Sequence, residues 1–111
     1  MGGGLMNDMK AAYKILKLLS KYRGDEAFDY EMISANALKM GFNQWEQLMI
    51  EMQEKGLIKG LVYAQTMTQK FPHLVEPIRP MITFDGIEFL ANNSTMAKAK
   101  EALAMVGDLI P

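Results

Sequence analysis

Apolar side chains recur with helical spacing along two stretches of this chain and with strand-like density along two shorter ones. From Met9 to Tyr22, the residues Met9, Ala12, Tyr13, Ile15, Leu16, Leu19 and Tyr22 cover one broad face. At about 100° per residue, Lys10, Lys14, Lys17 and Lys21 fall within about 40° of a single line opposite that face. Asn7 or Asp8 can accept from the free amides that open this helix, and Gly24 ends it. Phe28 to Ile33 alternates weakly and predicts a short strand. Ser34 then reads as the cap of a brief helix through Met40, with Gly41 as the turn.

A further helix is expected to start at an Asn43 cap, with Phe42 stapling its first turn. Trp45, Leu48, Met49 and Met52 form its apolar side, while Asn43, Gln47, Ile50, Glu51 and Glu54 lie opposite. Gly56 stops it, and Leu57 to Gln65 is apolar and β-branched enough for a strand. Pro72, Pro77 and Pro80 make residues 66–80 a poor helix or central strand, so a loop is expected there. Met81 to Thr83 returns as a strand, and Thr83 caps a short helix to Leu90. Asn92-Asn93 should turn the chain, and Ser94 should cap a last helix to Val106 with Gly107 past its end. The order predicts an α+β fold, mostly α: a winged helix-turn-helix with a small antiparallel β-wing and an added C-terminal helix. Residues 1–6 are expected to be a flexible leader and residues 7–111 a single winged-helix domain.

Charge changes this picture. Net charge is −1 and the pI about 5.8, whereas a nucleic-acid-binding domain usually has a pI above about 9 or a basic stripe. Residues 1–24 carry Lys10, Lys14, Lys17, Lys21 and Arg23 against Asp8. Residues 25–56 carry Asp25, Glu26, Asp29, Glu31, Glu46, Glu51 and Glu54 against Lys39 and Lys55. A basic stripe is thus found only on the first helix, and acidic charge reaches the outward face of the helix that would read DNA. The chain has no cysteine, which excludes disulfides, thiolate zinc sites and cysteine nucleophiles and fits a cytoplasmic location. No apolar run approaches the ~18 residues of a membrane span. The leader lacks the basic and apolar regions of a signal peptide, and Met6 stands where a myristoylation pattern wants Ser or Thr.

Several stretches resemble the YjcQ-like family of small bacterial and prophage proteins. The matching residues are Ile15-Leu16-Lys17-Leu18-Leu19, Phe28, Ile33-Ser34-Ala35, Ala37-Leu38 and Trp45. They continue through Glu54-Lys55-Gly56-Leu57-Ile58-Lys59-Gly60, Ile82-Thr83, Gly86-Ile87-Glu88-Phe89-Leu90 and Asn93-Ser94. The resemblance covers about residues 9–106. It implies a winged helix of bacterial or phage type, carries no set of catalytic residues, and raises the expectation of a head or structural role in phage. A shared fold does not by itself fix a function.

Three surfaces are candidates for partners. On the third helix, Asn43, Gln44 and Gln47 can pair with an adenine edge, but Glu51 and Glu54 would face phosphates. The same surface (Gln47, Ile50, Glu51 and Glu54, with Met67 of the wing) serves a protein partner better. Lys10, Lys14, Lys17, Lys21 and Arg23, joined by Lys70 and Arg79, are the candidate nucleic-acid contacts. Lysines opposite an apolar face are also how a solvated surface helix looks. Met96, Ala99, Leu103, Val106 and Ile110 form a seam that either the first helix or a second copy of the chain must cover, making the protein a monomer or a homodimer. Methionine is abundant, 11 of 111 residues; Met9, Met49 and Met52 fall on core faces, and Met67, Met81 and Met96 are candidates for partner contact.

Chemistry is not expected. The single histidine, His73, lies in the wing with no acid at a motif spacing and reads as a surface residue. None of the common nucleophile, zinc, phosphate-loop or dinucleotide motifs occurs. Asp25, Glu26, Asp29 and Glu31 lack the glycine and spacing of a calcium loop. The expectation is therefore a non-enzymatic interaction module without catalytic residues, metal or cofactor, and with no membrane association. Its partner is expected to be a protein, such as a phage or prophage component, with DNA-binding transcriptional regulation as the alternative.

Overall fold

The computed structural model describes residues 7–93. Helix α1 spans Asp8–Lys21, a 3-10 turn spans Tyr30–Ile33, and helix α2 spans Phe42–Glu54. Strands β1 (Ile58–Lys59), β2 (Val62–Ala64), β3 (His73–Val75) and β4 (Met81–Ile82) follow, and residues 84–93 are helical, here α3. The result is three helices with a small antiparallel β part, mostly α, in a winged-helix-like layout. The Ser94-capped helix and the seam Met96, Ala99, Leu103, Val106 and Ile110 lie outside the described residues.

Local chemistry sets most boundaries. The Asn7 side chain accepts the Lys10 amide at 2.9 Å and opens α1. Gly56, at φ +81°, closes α2: the Leu57 amide reaches Met52 O, and the Gly56 amide reaches Gln53 O. That pair of bonds satisfies carbonyls left open at a helix end, and the left-handed conformation it needs suits glycine. The Thr83 hydroxyl works twice, donating to Gly56 O and accepting from the Gly86 amide, so it caps α3 while tying it to the end of α2.

Four local expectations are corrected. Phe28 to Ile33 forms no strand, because Asp29 accepts the Glu31 amide and winds the segment into the 3-10 turn. The helix expected from Ser34 to Met40 shrinks to hydrogen-bonded turns. Ser34 does cap them, its Oγ accepting the Ala37 amide at 3.1 Å, but they end at Lys39, which sits at φ +57°. Helix α2 starts at Phe42 behind Gly41 with no side-chain cap, so Asn43 is inside the helix and Phe42 stacks obliquely on Trp45 at 5.6 Å. Asn92-Asn93 does not turn the chain; both residues are helical, and the Asn93 side-chain Nδ2 donates back to Phe89 O at 2.7 Å.

The wing is one long hairpin interrupted once. Ile58 faces Ile82 and Lys59 faces Met81; Val62, Tyr63 and Ala64 face Val75, Leu74 and His73. Between these ladders Gly60-Leu61 opposes residues 76–80, a bulge that bends the hairpin. The segment expected as a plain loop thus contributes β3, an edge strand, which proline tolerates. Beneath it the core joins Ile15, Leu16 and Leu19 of α1 to Trp45, Met49 and Met52 of α2, and to Ile33, Leu38, Ile58 and Ile82. Each such side chain contributes about 1.5–3 kcal/mol on burial. Met9, expected on the core face, is exposed at the open end of α1.

Two substitutions test this construction. A Cβ at Gly86 would collide with Leu57 O and lie 2.7 Å from Ile82 Cγ1, so Gly86→Ala should cost about 1–3 kcal/mol in denaturant unfolding. Lys39 holds a left-handed conformation that disfavours a side chain. Lys39→Gly should therefore raise stability, by up to about 1 kcal/mol after glycine's entropic cost.

Candidate interaction surface

Glu46 decides which side of α2 is open. Its carboxylate is 3% exposed, and a buried charge needs compensating partners. One oxygen meets His73 Nδ1 at 2.9 Å and the other accepts the Leu74 amide at 2.8 Å. The neighbouring Gln47 donates its side-chain amide to Pro72 O at 2.8 Å. Nearly two turns further on, Gln53 clasps Leu61 at both backbone groups, accepting its amide at 2.8 Å and donating to its carbonyl at 3.0 Å. Three polar side chains of α2 thus hold the wing against the helix.

This staple corrects the expected partner surface. Ile50 is 2% exposed: with ~100° per residue it lies between Glu46 and Gln47 around the helix, under the wing. Gln47 is half-buried and engaged with Pro72. Glu51 and Glu54 are exposed as expected; Glu51 lies with Gln44 and Lys55 on an open stripe, while the exposed Asn43 and Glu54 fall at its wing-side edge. Gln44 donates to the Asp8 carboxylate at 2.7 Å, bridging α2 to the start of α1. His73 also departs from expectation, since it meets an acid 27 positions away.

Beside that stripe, the Tyr63 hydroxyl donates to Glu54 at 3.4 Å. Partial burial, followed by the charge and hydrogen bond of Glu54, holds the Tyr63 pKa above its ordinary value of 10.0. Val62 and Val75 face each other across the ladder on the other side of the hairpin, both exposed. Met67 and Phe71, in the loop beyond them, are exposed as well. Met67 projects from a tip held by the Gln69 side chain, which accepts the Thr66 amide at 2.9 Å. Met67 is exposed as expected; the exposure of Val62, Phe71 and Val75 was missed because proline and short strands masked the alternation.

The candidate phosphate contacts are solvated. Lys10, Lys14, Lys17, Lys21 and Arg23 are exposed along and just past α1, and Lys70 and Arg79 are exposed in the wing. Lys21 Nζ lies 5.4 Å from the Tyr22 ring centroid. In the acidic bend, Asp25 accepts the Ala27 amide at 2.8 Å and Glu31 accepts from Ser34 Oγ at 3.0 Å, so these carboxylates organise their own backbone. No helix among the described residues is long and apolar enough to cross a membrane.

A family model described as YjcQ protein matches residues 13–109 of the chain. No curated protein and no solved structure gives a match.

The staple makes an asymmetric prediction. Glu46→Ala strands the Leu74 amide and should cost about 1–3 kcal/mol in denaturant unfolding. His73→Ala, which leaves Leu74 bonded to Glu46, should cost clearly less.

Proposed function

The chain belongs to the YjcQ family, and from that premise we propose that it is a non-enzymatic interaction module of bacterial or prophage type, with a protein as its partner. It would work in the reducing cytosol. The observation that carries this reading is the state of α2. The wing is pinned over the Glu46–Ile50 side of the helix; Glu51 faces the side left open, and Glu54 stays exposed at the edge beside the wing. Acids on that side oppose the phosphate contacts that supply most non-specific affinity for a duplex.

The wing offers the complementary feature. Val62, Val75, Met67 and Phe71 are exposed on a hairpin whose inner face is already occupied by α2. Aromatic and methionine side chains are enriched at protein interfaces. With Glu54 beside the wing, the fitting partner surface is apolar at its centre and basic at its rim. The DNA reading keeps one specific support, the solvated cations Lys10, Lys14, Lys17 and Lys21 along α1.

Duplex binding at low salt separates the two. The protein-partner reading expects only weak, non-saturating binding of a mixed-sequence duplex in a fluorescence anisotropy titration. Tight binding that falls steeply with salt, and that Lys14→Glu with Lys17→Glu abolishes, would replace it with the DNA reading. In parallel, Met67→Asp with Phe71→Asp should leave thermal unfolding unchanged while removing a partner that the wild-type protein retains. Full retention by that variant would count against the wing.

A further inference from the structure

Away from the wing's outer face and the open stripe of α2, a cleft of about 540 Å³ lies between the 3-10 turn, the start of α2 and the β3–β4 connection. Tyr30, Phe42 and Trp45 line it, with Glu31 and Glu76 among its polar groups and Ile78 on the wing side. Among the described residues, neither lysine nor arginine lines it. The Trp45 indole N–H is already spent on Ile33 O at 2.8 Å, so the ring offers the cleft only apolar and π surface. Phe42, tilted 39° against that ring, is more than half exposed.

The acids differ in their freedom. Glu31 commits one oxygen to Ser34 Oγ. The Glu76 carboxylate takes part in no hydrogen bond or ion pair among the described residues. Aromatic faces attract cations through their quadrupole, and carboxylates favour a planar, forked donor. Both preferences converge on a guanidinium, which stacks and pairs at once. The volume exceeds one side chain, and the remaining apolar lining suits a residue beside it.

We propose that this cleft binds an arginine side chain, with an adjacent apolar residue, carried by a partner polypeptide. The site stands whether or not the wing docks a partner of its own. The charge complementarity is one-sided: among the described residues, two carboxylates and three aromatic rings line the space and no cation does.

The chain's single tryptophan reports on the site directly. The full-length ¹⁵N-labelled protein would be titrated with acetyl-Ala-Arg-Leu-Ala-amide to about 5 mM, a range suited to weak binding. The indole N–H signal should move saturably, while the peptide with glutamine in place of arginine should leave it still. Glu76→Gln should weaken binding about two- to fivefold, the range of a part-exposed charge pair. Adding Glu31→Gln should weaken it further, with unchanged thermal unfolding in both variants. No saturable shift, an equal shift with the glutamine peptide, or unchanged affinity in the double variant would overturn the proposal. So would an indole shift that follows protein concentration alone, which would give the cleft to a second copy of the chain.

Discussion

A carboxylate buried to 3% exposure beneath a two-stranded wing is the constraint on which the surface of this protein depends. Glu46 is kept in place by the His73 ring and the Leu74 amide. Removing either from water without the other would be costly. The pairing therefore couples the position of β3 to the rotation of α2. Ile50 goes under the wing because Glu46 does, and Gln47 is drawn to Pro72 by the same contact. Gln53 repeats the arrangement at the other end of the hairpin by holding Leu61. A winged-helix-like layout in which the wing closes on its own helix has one fewer face to offer a duplex.

What remains open is sorted by charge. Helix α2 carries the exposed Glu51 and Glu54, and α1 carries the exposed lysines. Coulombic effects between such solvated groups are modest and screened beyond about 10 Å, so they select partners more than they stabilise the fold. The apolar groups that would supply affinity lie elsewhere, on the outer side of the hairpin and at its tip.

The elements legible in the sequence were those fixed by neighbours a few residues apart. Asn7 capping α1, Gly56 ending α2 and Thr83 opening α3 are local hydrogen-bond problems with local solutions. Where two local solutions competed, pattern alone chose wrongly: Asp29 bonding Glu31 turned weak alternation into a 3-10 turn, and Gly41 rather than Asn43 preceded α2. The surface was far less legible. A helical projection places Ile50 among polar residues and cannot know that a strand more than 20 positions later will cover it. Glu46 carried a faint signal, an acid beside Trp45 and Met49 on the edge of an apolar face, matched by a lone histidine in the wing. Only the fold brings the two within 2.9 Å.

The docked wing is tested most directly by hydrogen exchange at the Leu74 backbone amide in the native protein. That N–H is spent on Glu46 rather than on β2, so nothing but the docked arrangement shields it. Exchange slowed to the level of the core, and lost in Glu46→Ala, is the expected result. Exchange at the rate of an open amide, while the core stays protected, would mean that the wing does not close on α2.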